Sequence, residues 1–324
     1  MSKSLVLHVG LQKTATTYLQ KEVFPFLEGV RYIEKPSIVK KAFCLSPLVW
    51  SDSSFLSEID GFLLSSGVGE EEVVLFSDEN LAAPRFFPFH ELKKGDWRSY
   101  NRQDVFLFAE HLKALLRCCE ALSCVRLKVL ITVRKQWDLL ASLYAQSSKA
   151  HFSGQKNFEA EVAKILSREE RYYLHGFWLD YNIIHRYVAS VVGVGNVLVL
   201  PQEELVESPG KFFGKLGRFV GAGDRGSLFG SEGMTYGTGR SEGERNVRRG
   251  SGGWKLRRRS SWLGAGKSRR DKSILKKLLP NKIWREGSIV LTYDTECQVR
   301  EFYSQCNRDI DIRLNLGLKR LGYY

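Results

Sequence analysis

Four short apolar runs, each followed by a helical pattern or a turn, constrain the fold of this chain more than any other feature. Short runs of this kind are typical of parallel strands that are buried on both faces of a sheet. The runs are Leu5–Val9, Val73–Phe76, Leu127–Val133 and Val197–Leu200. Because strands that alternate with helices form a mostly parallel sheet covered on both sides, the sequence predicts a three-layer α/β/α fold.

Apolar residues at helical spacing mark the expected helices. The segment Tyr18–Val23 is predicted to be helical and to stop at Pro25. Further helical patterns lie at Trp137–Tyr144, Tyr173–Val188, Phe212–Val220, Lys272–Leu279 and Glu296–Leu321. No internal repeat is visible, so we expect a single domain over residues 1–324.

The chain is strongly basic. Its 43% hydrophobic and 26% charged residues are ordinary for a globular protein, but its net charge is +13. A charge of that size indicates an anionic partner such as a nucleotide, a nucleic acid, a sulfated or acidic glycan, or a membrane surface. Residues 222–272 contain thirteen Lys or Arg against five Asp or Glu, among many Gly and Ser. This composition predicts a mobile basic loop rather than a second domain.

The sequence gives no sign of export or membrane insertion. No apolar run approaches the ~18 residues of a membrane span, and the amino terminus leads directly into the first strand without a signal-peptide pattern. We therefore expect a cytoplasmic protein. Its six cysteines form no CxxC pair and include the adjacent Cys118 and Cys119, so we expect them to be reduced and mostly in the core.

The turn "GLQKTATT" between the first strand and the first helix has the composition of an anion-binding turn. Gly10 permits close approach to the backbone, Lys13 supplies a positive charge, and hydroxyl donors come from Thr14, Thr16 and Thr17. The partial positive charge of a helix amino terminus adds to these groups. The turn suits a phosphate, although a threonine that only caps the helix and a solvated Lys13 would explain the same residues.

Two well-known nucleotide loops do not fit this turn. The loop that binds magnesium nucleoside triphosphates requires GxxxxGK[ST], but no second Gly follows Gly10 and Lys13 comes too early. The dinucleotide fingerprint GxGxxG is absent as well. A P-loop-like kinase or NTPase, which would use the same fold with ATP and magnesium, is kept as an alternative function, and the missing GK[ST] counts against it.

The segment "HVGLQKTATTYLQ" resembles the 5′-phosphosulfate loop of sulfotransferases that use 3′-phosphoadenosine 5′-phosphosulfate (PAPS). Bacterial members of that family commonly have H-I-G-x-x-K-T-G-T-T-x-L-Q, so Ala15 stands in place of the usual Gly, a small-for-small change. The resemblance implies that Lys13 contacts the bridging oxygen and the 5′-phosphate of PAPS. It also implies that this phosphate is cradled by Gln12, Lys13, Thr14, Ala15, Thr16 and Thr17.

A second motif follows the third apolar run. In "VLITVRKQWDLLASLYAQ", Arg134 ends a strand and Ser142 comes eight residues later on the next helix. An Arg at the carboxyl end of a parallel strand faces the crevice where α/β sheets bind ligands, and its forked donors suit a phosphate. Taken alone, the pair is better explained as a surface Arg and a neutral helix Ser. The family has Arg and Ser at this spacing, which implies that Arg134 and Ser142 hold the 3′-phosphate of PAPS.

Other segments extend the resemblance over most of residues 4–221 and 296–324. They are "VVLFSDENLAA", "VLVLPQEELVESPGKFFGKLGRFVG" and "REFYSQCNRDIDIRLNLGLKRLGYY". The resemblance implies a P-loop NTPase-like sulfotransferase fold with PAPS as donor and no metal. Cytosolic members hold the 3′-phosphate with an Arg-Lys-Gly loop, to which Arg248, Arg249 and Gly250 are similar.

The implied reaction is sulfuryl transfer to a hydroxyl or an amine, in which Lys13 stabilises the leaving phosphate. The acceptor needs a general base, and our first candidate is Glu79, which follows the second apolar run at the carboxyl edge of the sheet. Asp78 is the near alternative and His90 the next candidate. His8, in the first strand, is expected to fill the core or to orient the turn at residues 10–17.

The acceptor and the basic loop are the least determined features. We expect an acceptor such as a carbohydrate or a glycolipid, and we expect the basic loop to contact an anionic glycan, the donor or a membrane surface. A nucleic-acid-binding module is the third hypothesis, and it depends on the charge of Arg257–Arg259 and Arg269–Arg270. No motif typical of RNA or DNA binding accompanies that charge, so specific nucleic-acid binding is not expected.

Overall fold

A computed structural model describes most of the chain. The described residues are 3–44, 47–79, 81, 105–122, 125–147, 154–167, 177–221, 249–250, 253–256 and 288–324. They form a sheet of five strands, a second sheet of three short strands, and helices that pack around them.

The central sheet is entirely parallel. Its strands are β1 (Ser4–His8), β2 (Arg31–Glu34), β3 (Val73–Ser77), β4 (Arg126–Val133) and β5 (Val197–Pro201). Their order in the sheet is β2-β3-β1-β4-β5. After β1 the chain moves to one side of the sheet, whereas after β4 it moves to the other. The carboxyl ends of β1 and β4 therefore flank a topological switch point, where open α/β sheets bind ligands.

Side chains of the central strands alternate between two hydrophobic cores, because successive residues on a strand point to opposite faces. In β1, Leu5 and Leu7 join the larger core, whereas Val6 joins the smaller one. All three side chains are fully buried. The first apolar run is thus continuous because both faces of its strand are covered.

Helices cover both faces of the sheet. They are α1 (Thr16–Tyr18), α2 (Ser37–Cys44), α3 (Ser53–Ser65), α4 (Val105–Ala121), α5 (Gln136–Ser147), α6 (Gly154–Leu166), α7 (Tyr181–Val192), α8 (Gln202–Glu207), α9 (Pro209–Val220) and α10 (Tyr293–Leu314). Helices α1, α8 and α9 pack on the smaller core, and the others pack on the larger core. The predicted three-layer α/β/α architecture is confirmed.

The four predicted strands are confirmed to within one residue at each end. The sequence missed β2, the edge strand beside β3. Arg31 and Glu34 at its two ends are exposed and its centre is only half-buried. An edge strand of this kind has charged residues where a central strand has apolar ones, so it shows no apolar run.

The first helical segment is longer and less regular than predicted. It starts at Thr16 with α1, continues as a π-helical turn over Leu19–Val23, and ends in a 3₁₀ turn over Phe24–Phe26. Pro25, which is predicted to stop the helix, lies inside that 3₁₀ turn. A π-helical turn at such a place is frequent in functional sites, because it displaces side chains from their regular positions.

Two other helix predictions are wrong at their boundaries. Helix α7 begins at Tyr181 rather than at Tyr173, because Asp180 caps it by accepting the Ile183 N–H at 2.9 Å. Helix α10 ends at Leu314 rather than at Leu321, because Asn315 (φ 51°) takes the left-handed conformation that terminates helices. Residues 315–324, the C-terminal tail, fold back in turns. Tyr173 itself and the predicted helix at 272–279 lie outside the described residues.

Part of the basic segment 222–272 is a small sheet. Antiparallel pairing joins β6 (Arg249–Gly250) to β7 (Gly253–Lys255) and β7 to β8 (Ser288–Ile289). The Trp254 side chain is 3% exposed and joins the larger core, where β7 packs against α5. The prediction of a loop is therefore wrong for these residues, because a buried Trp anchors them. The rest of the segment lies outside the described residues.

Candidate active site

The turn after β1 is built around a glycine that no other residue can replace without a shift. A Cβ atom on Gly10 would lie 2.7 Å from His8 Nε2 and 2.7 Å from Thr16 Cγ2, and closer still to Thr132 Oγ1. The sequence predicts that Gly10 lets an anion approach the backbone, and the structure shows a further reason for Gly, which is the contact between the turn and the end of β4. It draws the turn over the switch point of the sheet.

Two residues of the turn have left-handed backbone conformations, Lys13 (φ 70°) and Ala15 (φ 64°). A Cβ atom makes this conformation costly, whereas Gly adopts it freely. The replacement of the family's Gly by Ala15 is therefore not neutral, contrary to the small-for-small interpretation. Both residues and Gln12 are half-buried, so this part of the turn is accessible from outside the protein.

The three threonines of the turn differ in exposure. Thr17 is exposed, Thr16 is 5% exposed and Thr14 is completely buried. Thr14 Oγ1 lies 2.5 Å from the Leu11 carbonyl oxygen and 2.7 Å from Thr132 Oγ1. This geometry disfavours a contact between the Thr14 hydroxyl and a bound phosphate, and gives that hydroxyl the task of shaping the turn from inside.

Hydrogen bonds continue from Thr14 to His8, and the proton positions follow from the Leu11 carbonyl, which can only accept. Thr14 must donate to that carbonyl, so the Thr132 hydroxyl donates to Thr14 Oγ1. His8 Nε2, 3.4 Å from Thr132 Oγ1, is then the atom that carries the proton. Burial lowers the pKa of His8 to about 3, so its ring is neutral, as this arrangement requires.

The same hydrogen bonds reach a carboxylate at the end of β3. Ser77 Oγ lies 2.7 Å from His8 Nδ1 and accepts from Gln20 Nε2 at 3.0 Å. Gln20 Nε2 also donates to Glu79 Oε2 at 2.9 Å. Gln20 thus donates to both sides, and from Ser77 onward each donor points toward the Leu11 carbonyl. The series, here called the polar chain, comprises Glu79, Gln20, Ser77, His8, Thr132, Thr14 and the Leu11 carbonyl.

The structure separates the two candidate bases by exposure. Asp78 is completely buried, with Lys40 Nζ 3.9 Å from its Oδ2 atom. Glu79 is half-buried and stands at the outer end of the polar chain. A carboxylate must reach the acceptor's proton, so this difference favours Glu79 over Asp78 as the base. His90 lies outside the described residues.

Arg134 follows β4 and reaches across the switch point. Its Nη1 atom donates to the Lys13 carbonyl oxygen at 3.2 Å, so the two predicted cationic residues are brought together. The Arg134 side chain is half-buried. Ser142 lies two turns along α5 and is 4% exposed. The structure therefore places Arg134 beside the turn after β1, and it gives no hydrogen bond between Arg134 and Ser142.

Sequence reasoning missed the residues that support the Arg134 turn, here defined as Arg134, Lys135 and Gln136. Tyr181 donates its hydroxyl proton to the Arg134 carbonyl oxygen at 2.5 Å. Glu203 Oε1 accepts the Lys135 N–H at 3.0 Å. These partners lie 47 and 68 positions along the chain from the residues they hold, so no local pattern could have identified them.

The remaining predicted residues have diverse placements. Arg249 and Gly250 form β6, in the sheet that packs against α5, whereas Arg248 lies outside the described residues. His111, 1% exposed, accepts the Trp50 indole N–H at 2.8 Å, which is a structural role. Four cysteines are described as free thiols, two of them buried, Cys118 and Cys119.

Within the described ranges, no group of three or more His, Cys, Asp or Glu side chains is arranged to hold a metal ion. No helix of the described part of the chain is long and apolar enough to cross a membrane.

Comparisons with known proteins give similarity to solved structures and no named family. No protein-family model matches the chain, and no curated protein matches it either. A crystal structure of a sulfotransferase from Alicyclobacillus acidocaldarius is similar at a TM-score of 0.39 and 15% sequence identity. The similarity covers 68% of this chain and 82% of that chain. Likeness at this level does not fix an activity, which must come from the residues of the site.

Proposed function

We propose that this protein is a PAPS-dependent sulfotransferase that transfers the sulfuryl group to a hydroxyl or an amine of an acceptor. The observation that carries the proposal is the placement of three groups at the carboxyl edge of the sheet. Arg134 donates to the Lys13 carbonyl oxygen, and the polar chain connects the same turn to Glu79. A cationic turn, an Arg and an accessible carboxylate are the groups that sulfuryl transfer between a phosphate and a hydroxyl requires.

Each group has a task in the proposed reaction. The acceptor oxygen attacks the sulfur atom of PAPS while the bond between sulfur and the 5′-phosphate oxygen breaks in line with it. Lys13 stabilises the negative charge that develops on the leaving phosphate, and Glu79 takes the acceptor's proton. The products are a sulfate ester, or a sulfamate if the acceptor is an amine, and 3′-phosphoadenosine 5′-phosphate (PAP).

The second phosphate of the donor does not react, so its binding energy serves orientation. We propose that Arg134 and Ser142 hold this 3′-phosphate, with Arg248, Arg249 and Gly250 as further donors. The packing of β7 against α5 supports this arrangement. Strand β7 pairs with β6, which contains Arg249, and α5 is the helix that contains Ser142. The expected acceptor remains a carbohydrate or a glycolipid.

Thermal unfolding with nucleotides tests the proposal against a kinase or NTPase. PAP is expected to raise the melting temperature more than ADP, because only PAP carries a 3′-phosphate. A ligand at 100 times its dissociation constant stabilises a protein by roughly 2.7 kcal/mol, which is readily measured. Magnesium should add nothing to the PAP effect. Equal shifts with PAP and ADP, or a large shift with ATP that depends on magnesium, would contradict the sulfotransferase.

A positive result leads to an acceptor screen with labelled PAPS. Lipid-linked and free saccharides are the first compounds to test, followed by amines. The Glu79→Gln variant is the matched negative control, since it keeps the shape of the site and removes the base.

A further inference from the structure

The C-terminal tail ends against the Arg134 turn, although the two are far apart in sequence. Tyr323, the penultimate residue, is completely buried. Its hydroxyl donates to Glu203 Oε2 at 2.6 Å, and the other oxygen of that carboxylate accepts the Lys135 N–H. Glu203 therefore bridges the tail to the backbone of the Arg134 turn.

A second bridge joins the same two segments. Gln136 and Asn307 exchange hydrogen bonds through their side-chain amides, at 2.8 and 3.1 Å, and both residues are completely buried. Asn307 Nδ2 also donates to the Tyr323 carbonyl oxygen at 3.2 Å. The tail is thus linked to the Arg134 turn twice, from the Tyr323 side chain through Glu203 and from the Tyr323 backbone through Asn307. Buried networks of this kind fix geometry when every member has a partner.

The hydroxyl groups of this cluster stay protonated, as donation requires. Burial, with the negative charge of Glu203 as a second cause, raises the pKa of Tyr181 and of Tyr323 well above the usual value. Both therefore remain donors throughout the physiological range. Gly322 (φ 77°) precedes Tyr323, and a Cβ atom there would lie 3.3 Å from Lys135 Nζ, so the tail approaches the turn closely.

We propose that Tyr323 is a positioning residue for the donor site. Through Glu203 it fixes the backbone of Lys135, and with it the direction in which Arg134 leaves the sheet. The guanidinium group can then contact the Lys13 carbonyl and the 3′-phosphate of the donor together. This inference rests on the proposed function, because it assigns Arg134 to that phosphate.

The test is the affinity for PAP divided by the affinity for adenosine 5′-phosphate, measured by titration calorimetry. The two ligands differ only in the 3′-phosphate. Tyr323→Phe removes one hydrogen bond, and we expect PAP affinity to fall about threefold to tenfold while adenosine 5′-phosphate affinity stays within twofold. A merely structural role would weaken both ligands alike.

The neighbouring residue provides a matched control. Tyr324 also donates its hydroxyl proton to a carboxylate, Asp311 Oδ2 at 2.9 Å, but away from the Arg134 turn. Tyr324→Phe should leave both affinities unchanged. If Tyr323→Phe does not fold, Tyr181→Phe replaces it, since it removes the bond to the Arg134 carbonyl directly and should lower the same ratio.

A double variant that combines Arg134→Ala with Tyr323→Phe tests whether Tyr323 acts through Arg134. In that background, Tyr323→Phe should have no further effect on PAP affinity, because the positioned group is gone. Equal effects on both ligands, no effect on either, or a full additional loss without Arg134 would each overturn the inference. A wild-type protein that does not prefer PAP to adenosine 5′-phosphate would instead overturn the proposed function.

Discussion

The two sides of the candidate site are held in different ways. On the side of β1 and β3, the polar chain connects Glu79 to the turn after β1 through Gln20 of the first helical segment and through side chains at the ends of adjacent strands. On the side of β4, the Arg134 turn is held by Tyr181, Glu203 and Tyr323, which come from distant helices and the C-terminal tail. The hydrogen bonds on the first side come mainly from residues of the sheet. Those on the second side depend on the packing of α7, α8 and the C-terminal tail, which come later in the sequence.

This difference has a consequence for how each side tolerates change. The turn on the first side contains strained backbone at Lys13 and Ala15 and a glycine with no room for a side chain. Its substitutions should therefore act on stability as well as on chemistry. Changes around Arg134 should act chiefly on donor affinity, because that turn lies within ordinary backbone conformations and loses only orientation.

The largest expected effect is on turnover, at the outer end of the polar chain. Glu79→Gln keeps the shape of the side chain and can still accept from Gln20, but it removes the base. We expect single-turnover sulfuryl transfer to fall roughly 10²–10⁴-fold while PAP affinity persists.

Asp78→Asn is the comparison for that variant. The Asp78 carboxylate is buried near Lys40, so its substitution should lower stability more than it lowers turnover. A loss of turnover in Asp78→Asn together with near-normal rates in Glu79→Gln would show that the base is misassigned by one residue.

The second-largest expected effect is a lower free energy of unfolding when Gly10 is substituted. Gly10→Ala would place a methyl group against His8, Thr16 and Thr132. Overpacking of this kind typically costs about 1–3 kcal/mol, and we expect a loss of that size in denaturant unfolding. Gly210→Ala on α9 is the control, since nothing lies within 4 Å of a Cβ atom there. If both variants are equally stable, the turn is looser than described.

Acid should weaken the first side through His8. The folded-state pKa of about 3 lies below the unfolded value of 6.5, so the unfolded chain binds the proton first as the pH falls. The free energy of unfolding should therefore drop below pH 6.5, by about 1.4 kcal/mol per pH unit from this residue.

Comparison of wild type with His8→Asn isolates that contribution. His185, whose pKa burial lowers to about 4, contributes acid sensitivity to both proteins and cancels in the difference. The stability gap between wild type and His8→Asn should narrow as the pH falls from 6.5 to 4.5. A gap that stays constant would mean that His8 is protonated in the folded protein.

The smallest effect concerns the strain at Ala15. Gly adopts the left-handed conformation without cost, but it also makes the unfolded chain more flexible, so Ala15→Gly should stabilise by only about 0.5 kcal/mol. Ala189→Gly, in the regular helix α7, should destabilise by about 1 kcal/mol. Changes of the same sign in the two variants would argue against a left-handed Ala15.

The sequence predicted what depends on neighbouring residues. The buried strands have continuous apolar runs, so the fold could be predicted. Gly10, Lys13 and the threonines stand within one turn, so the candidate anion site could be proposed from the same short segment. Gln20 lies in the same quoted segment, but its bond to Glu79 depends on β1 and β3 being adjacent, which a single sequence does not show. Tyr323 and Glu203 are 120 positions apart, and only folding brings them to Arg134. The edge strand β2 was not predicted, because its two ends are exposed and charged and it therefore lacks an apolar run.

The most direct test of the account measures, by titration calorimetry, how two variants change the affinity for PAP and for adenosine 5′-phosphate. The comparison distinguishes binding of the 3′-phosphate from binding of the 5′-phosphate. Lys13→Ala should weaken PAP and adenosine 5′-phosphate by the same factor, because both ligands carry the 5′-phosphate. Arg134→Ala should cancel the preference for PAP, a loss of about 1.5–3 kcal/mol if one charge-assisted hydrogen bond disappears. Any effect of Arg134 on the turn through the Lys13 carbonyl acts on both ligands and leaves the ratio unchanged. Lys21→Ala, an exposed lysine of the same helical segment, is the control. A PAP preference that survives Arg134→Ala would contradict the assignment of the two sides.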